Sequence, residues 1–145
     1  MINPKSLLLL LPAFLIMACS KSSNTDGSSN VPNESVNITF NITNSPYTAL
    51  TTVGGVIYLT GGYRGIMVYR YNSNTIVSYD RACTYNISSA AAIVTGQNNQ
   101  TAICTDCGST YSLQNGSVNT GPSTIGLKAY TTTFNTSTNV VTIVN

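Results

Sequence analysis

Ala102 to Tyr130 reads AICTDCGSTYSLQNGSVNTGPSTIGLKAY, and this stretch decides how the rest of the chain is read. Cys104 and Cys107 form a C-x-x-C followed directly by Gly108 and Ser109. Gly108 gives the backbone freedom to turn tightly beside the second cysteine. "TYSL" alternates and predicts a short strand, and Asn115-Gly116 behind it is a two-residue hairpin signal. Gly121-Pro122 predicts a rigid turn. The C-x-x-C is compatible with half a metal site, a redox pair or a structural disulfide. The 145-residue chain contains no histidine, which limits the choice more than any residue present. No Ser/His/Asp or Cys/His catalytic set can form without one. No motif pairs carboxylates for acid–base work, so the chain is expected not to be an enzyme.

Working outward, the same strand signals recur. "VNITFNI" alternates Val36, Ile38, Phe40 and Ile42 against polar neighbours, the pattern of a half-buried strand. "VIYL" (Val56 to Leu59) and "IMVYR" (Ile66 to Arg70) flank the glycine-rich "TGGYRG" and predict a hairpin. "TIVSYD" (Thr75 to Asp80), "AIV", "TAIC" and a last hairpin of "KAYTTTF" and "NVVTIV" around "NTSTN" complete the set. No long window after the N-terminal segment carries a helical apolar stripe. About ten short strands in roughly 110 residues predict one compact all-β domain over 36–145. Charged residues make up only 7% of the chain and the net charge is +2. No basic stripe with interleaved aromatics is present, so nucleic acid is not an expected partner. Tyr58, Tyr69, Tyr71, Tyr79, Tyr111 and Tyr130 fall at strand spacing and are expected in the core or at its edge. Tyr63 and Arg64 are expected in a solvated turn, and Asp80 and Arg81 as a surface pair of little energetic weight.

The N-terminus has a different character. Lys5 precedes the apolar run Leu7 to Ile16, which is short for a membrane span and ends in Ile16-Met17-Ala18-Cys19. A small residue before a cysteine at this place resembles the lipobox of bacterial lipoproteins. That resemblance implies a signal peptide over 1–18, cleavage before Cys19 and lipidation of Cys19. Several acyl chains on one residue anchor a protein stably. The partner implied is a membrane of the cell envelope, and Ser20 after the cysteine weakly favours the outer membrane. Residues 19–35, rich in Ser, Asn and Gly, are expected to form a flexible tether.

From Gly61 to Val144 the sequence resembles the Rieske iron–sulfur domain. That family carries C-x-H in a first loop and C-x-x-H followed by Gly-Ser in a second. An aromatic strand, a G-x-V-x-x-G-P turn, a Leu and a Tyr follow. Cys104, Gly108, Ser109, Tyr111, Leu113, Gly116 to Ser123, Leu127 and Tyr130 match the second half, and Cys83 in "DRACTYN" matches the first loop. The resemblance implies an antiparallel β-sandwich or barrel. It also implies a [2Fe–2S] cluster, an electron-transfer role and an envelope redox or assembly partner. A Rieske cluster holds one iron by two cysteines and the other by two histidines. The histidine positions here are Tyr85 and Cys107, so the implied ligand set is Cys83, Tyr85, Cys104 and Cys107. The chain also resembles a group of Rieske-like bacterial lipoproteins with the same C-x-Y and C-x-x-C-G-S replacements.

Tyr85 could serve as a ligand only as a phenolate, against an ordinary pKa of about 10. Proton-coupled chemistry that depends on the histidines is excluded. Three other readings stand beside the cluster. An exported domain meets an oxidising compartment, where two of the three thiols can pair without any cofactor. The family geometry favours Cys83 with Cys104, and Cys107 could equally reach Cys83. Such a bridge closes a loop of about twenty residues and is worth roughly 3 kcal/mol. Cys104 with Cys107 could act as a redox pair, although this one precedes a strand and not a helix N-terminus. Zinc could take the three cysteines with Asp106.

Overall fold

The computed structural model describes residues 30–145 and is all-β. Its strands are β1 (Asn37–Asn41), β2 (Val56–Leu59), β3 (Ile66–Arg70), β4 (Ile76–Asp80), β5 (Ile93–Thr95), β6 (Thr101–Cys104), β7 (Thr110–Ser112), β8 (Val118–Thr120), β9 (Ala129–Asn135) and β10 (Val140–Val144). They form two antiparallel sheets, a six-stranded one ordered β1-β10-β9-β4-β3-β2 and a four-stranded one ordered β5-β6-β7-β8. One 3₁₀ helix, Tyr47–Thr51, was not signalled by any apolar periodicity and buries Leu50. Among the described residues no helix is long and apolar enough to cross a membrane. The expected signal peptide and Cys19 lie outside the described residues.

Strand β3 shows why the sheets stack as they do. Successive side chains of a strand point to opposite faces, and Ile66, Met67, Val68 and Tyr69 are all buried. The unbroken apolar run therefore has protein on both sides. Ile66 and Val68 join a cluster with Phe40, Leu50, Val141 and Ile143. Met67 and Tyr69 face the other way, into a cluster with Tyr79 of β4, with Ile93, Ala102 and Tyr111 of the second sheet, and with Leu113 just after β7. Both clusters draw all their buried members from residues 36–143, so the domain has its own core.

The hairpins at "TGGYRG" and "NTSTN" form as expected, with Leu59 paired to Ile66 and Asn135 to Val140. The turn at Asn115-Gly116 differs from the two-residue form. Strand β7 ends at Ser112 and β8 begins at Val118, so five residues intervene, and Gly116 alone among them has positive φ. The cause is Leu113, which is fully buried and accepts a hydrogen bond from the Tyr79 hydroxyl at 3.1 Å. Gly116 packs so close to Tyr79 that a Cβ would meet the ring at 2.9 Å.

The ordered chain also begins earlier than its composition suggests. Val31 is buried, and Asn30 Nδ2 donates to the Thr84 carbonyl at 3.0 Å. Lys128 Nζ donates to the Pro32 carbonyl and to Asn33 Oδ1, at 2.8 and 2.9 Å. Residues 30–35, expected in the tether, thus lie along the domain. One apolar anchor and a few amide side chains suffice, and a Ser/Asn-rich composition does not reveal them.

Asp80 ends β4 and is 1% exposed. It is not the surface partner of Arg81. Its carboxylate accepts the Tyr63 and Arg64 amides at 2.6 and 3.2 Å, the Ala82 amide at 2.8 Å and the Tyr130 hydroxyl at 2.6 Å. Arg81 instead donates from Nε to the Ile93 carbonyl at 2.9 Å and lies over the Tyr58 ring at 4.2 Å. Removing a buried partner leaves several donors unsatisfied, so Asp80→Ala is expected to cost at least about 3 kcal/mol. Urea denaturation measures this, and Asp80→Asn should lose less.

Two tyrosines set the alkaline limit. Burial raises the Tyr79 pKa to about 12. Burial, the hydrogen bond to Asp80 and the Asp80 charge raise that of Tyr130. The folded chain keeps these protons where the unfolded chain has released them, above about pH 10. Their contribution is complete below pH 10 and is lost as pH rises toward 12. The urea midpoint should be flat with respect to these groups from pH 8 to 9.5 and fall steeply above pH 10. Tyr79→Phe should reduce that slope.

Candidate functional site

Two connections between the sheets and one turn within the four-stranded sheet meet at one place. The β4–β5 connection carries Cys83, Thr84 and Tyr85. The β6–β7 turn carries Cys104 at its start and Cys107. The β8–β9 connection carries Pro122, which follows a cis peptide bond, and Ser123. The second turn is closed by the Gly108 amide donating to the Cys104 carbonyl and the Cys104 amide donating to the Ser109 carbonyl, both at 2.9 Å. Gly108 holds φ +74°, which an L side chain rarely adopts. This turn brings two sulfurs to the same side of the loop, facing Cys83.

The Sγ atoms of Cys83, Cys104 and Cys107 lie within 4.8 Å of one another, an arrangement that can hold a metal ion. Cys83 and Cys104 are fully buried, and Cys107 is half-buried. All three are free thiols in this structure, so Cys83 and Cys104 are not bridged. Cys83 Sγ lies 3.6 Å from Cys107 Sγ. The Asn86 amide donates to Cys83 Sγ at 3.4 Å.

Oxygen groups surround the sulfurs and are bonded to one another. Thr84 Oγ1 donates to the Ile125 carbonyl at 2.7 Å, so its contact of 2.9 Å with Tyr111 uses the tyrosine proton. Thr84 Oγ1 also meets Ser123 Oγ at 2.8 Å. Ser109 Oγ accepts the Ser123 amide at 2.8 Å and lies 3.1 Å from Cys107 Sγ. In the thiol form the S–H points at Ser109 Oγ. In the thiolate form the hydroxyl can turn its own proton to the sulfur.

These surroundings divide the thiols. Burial, with a hydrogen bond to Cys83, pushes Cys104 up to about 12. Burial also opposes the Cys107 thiolate, but hydrogen bonds from Ser109 and then from Cys104 and Cys83 outweigh it, and its pKa falls below the ordinary value. The site therefore has one sulfur that ionises more readily than an ordinary thiol and one that resists.

Three of the four expected ligands, Cys83, Cys104 and Cys107, come together. Tyr85 is 59% exposed. Asp106 is exposed as well, and its carboxylate is not among the clustered ligand atoms. Ser109, Thr84 and Ser123 form the surround; Ser109 was visible in the sequence only as part of Gly-Ser. Among the described residues the fold and site together define an all-β protein with a three-cysteine centre able to hold a metal ion. No protein-family model matches the chain, and no curated protein matches it.

Cys107 should be alkylated first by iodoacetamide at pH 8 and Cys104 last, as read by peptide mass spectrometry of the reduced protein. Ser109→Ala removes the main hydrogen bond to the thiolate and should slow Cys107 alkylation severalfold. An unchanged rate would mean the serine hydroxyl does not act on the sulfur.

Proposed function

We propose that this chain is a lipid-anchored protein of the cell envelope whose Rieske-like domain binds a single metal ion through Cys83, Cys104 and Cys107. The observation that carries this reading is the triangle of sulfurs, all within 4.8 Å. With metal–sulfur bonds of about 2.3 Å, two thiolates on one tetrahedral ion lie about 3.8 Å apart. The 3.6 Å between Cys83 and Cys107 suits that arrangement.

The same spacing does not suit a [2Fe–2S] centre. Thiolates on its two different irons lie more than about 5 Å apart, because the iron–iron vector adds to their separation. The family pattern puts Cys83 on one iron and the Cys107 position on the other. Tyr85, 59% exposed, supplies no fourth ligand. The residues present do not fit the cluster, and the electron-transfer role implied with it loses its basis.

The Rieske-like reading is supported by the order of the parts. Two cysteine loops and a Gly-Pro loop, in that sequence, meet beside the four-stranded sheet. The anchor is supported by the apolar run Leu7 to Ile16 and the cysteine at position 19. Binding, not turnover, is the expected activity. The chain has no histidine, and the hydroxyls around the sulfurs are committed to one another. A second reading rests on the same 3.6 Å contact: an oxidant could join Cys83 to Cys107 and leave a metal-free, disulfide-stapled interaction domain.

Native mass spectrometry of the reduced chain from Ser20 onward, loaded anaerobically with a single metal, separates these readings. That piece holds every strand of the described residues and both of their core clusters. One ion per chain and no sulfide is the expected result. Cys83→Ser, Cys104→Ser and Cys107→Ser should each abolish stoichiometric binding, and Tyr85→Phe should leave it intact. Protein isolated with two irons and two sulfides would overturn the proposal. So would a reduced protein that takes up no metal and readily loses two hydrogens on oxidation.

A further inference from the structure

We infer that the metal this site selects is copper(I), held three-coordinate by Cys83, Cys104 and Cys107 with no fourth protein ligand. The inference rests on the single-ion reading above and adds the identity of the ion. Its basis is a count of donors.

The ligand atoms are all sulfur. Soft thiolates favour copper(I), zinc and iron–sulfur clusters over the hard cations that prefer oxygen. Spacing does not separate copper from zinc. Three coplanar sulfurs about 2.3 Å from an ion lie about 4 Å apart, and a tetrahedral ion needs nearly the same separation. The number of donors does separate them.

A structural zinc site closes with four protein ligands. Here a fourth is missing among the described residues. The sequence has no histidine, and the fourth cysteine, Cys19, lies outside the described residues. The Asp106 carboxylate is outside the cluster, and Asp80 already accepts four hydrogen bonds. Thr84 and Ser123 are bonded to each other and to Ile125, and Ser109 holds the Ser123 amide. Tyr85 is exposed.

A catalytic zinc keeps water in its open position, with a neighbouring base to use it. Among the described residues, the side chains placed around the sulfurs here are hydroxyls with partners, and none is a base. Copper(I) needs neither a fourth ligand nor a base. Three thiolates satisfy it, and each thiol that becomes a ligand releases its proton to solvent.

Burial also fits a reduced ion in an oxidising compartment. Cys83 and Cys104 are 0% exposed, which shields the ion from solvent on that side. Cys107 is half-buried and forms the open side of the triangle. An incoming donor can reach the ion there, so Cys107 is the ligand through which copper would enter and leave.

The test uses the reduced chain from Ser20 onward under anaerobic conditions, titrated with copper(I) against the chromophoric chelator bathocuproine disulfonate, and separately with cobalt(II) and zinc(II). The expected result is one copper withdrawn from the chelator per chain. X-ray absorption should show a shell of three sulfurs and no nitrogen or oxygen. Cys107→Ser should weaken retention by more than about 100-fold, beyond the loss an outer partner gives, while Asp106→Asn and Tyr85→Phe should not change it. Tight one-to-one cobalt or zinc with a tetrahedral thiolate spectrum, and no copper withdrawn, would overturn copper and leave the single-ion reading standing. Failure to retain any of the three metals would overturn both.

Discussion

A buried carboxylate positions the site. Asp80 sits at the end of β4, where the chain leaves the six-stranded sheet and starts the first cysteine loop. A buried charge is costly unless its hydrogen bonds are made. Here three backbone amides and one hydroxyl make them, and they come from three places: the β2–β3 turn, the residue before Cys83, and β9. The turn "TGGYRG" can present two successive amides because Gly61, Gly62 and Gly65 take positive φ. A Cβ at Gly62 would collide with Asp80 and Tyr130 themselves. The glycines are thus required by the carboxylate as much as by the hairpin, and the carboxylate in turn fixes the direction in which Ala82 and Cys83 depart.

A second network holds the other side. Thr84, Tyr111, Ser123 and Ser109 join the first loop, β7, the proline loop and the second cysteine turn through hydroxyls with few polar alternatives. Satisfied networks of this kind specify geometry, because every member is expensive to leave unpaired. They also have a chemical consequence. The oxygen atoms nearest the sulfurs are spent on the scaffold, so the sulfurs are what remains to meet a ligand. Ser109 is the exception that touches both systems, holding the Ser123 amide while facing Cys107.

Much of the architecture was legible in the sequence, and the reasons it was or was not are local. Strict alternation in "VNITFNI" marked a strand with one buried face, and the continuous "IMVY" run belongs to a strand buried on both. Three cysteines were legible as a set, since Cys104 and Cys107 share a turn and Cys83 sits in the matching loop. The five-residue turn at Leu113–Ser117 was hidden because its length is dictated by Leu113 and Tyr79 packing, a contact between distant residues. Asp80 looked like a surface charge beside Arg81, because no local pattern reveals donors sixteen to fifty residues away. The docking of residues 30–35 was concealed by a composition that elsewhere means a tether. Tyr85 occupied a ligand position in the motif, yet position in a motif does not set where a side chain points.

On the Rieske-like reading proposed above, side-chain length links the residues at the two histidine positions to the single-ion site. An imidazole carries its ligating nitrogen well out from the backbone, far enough to reach a second iron. A thiol carries its sulfur one bond beyond Cβ. On that reading, cysteine at position 107 keeps the ligand atom close to its own loop, where its sulfur lies 3.6 Å from that of Cys83. Tyr85, at the other of the two positions, is 59% exposed. On the Rieske-like reading, two substitutions thereby convert a frame built for four ligands around two irons into three sulfurs around one point. The carboxylate and hydroxyl networks do not depend on what lies between the loops, so they can persist while the bound species changes.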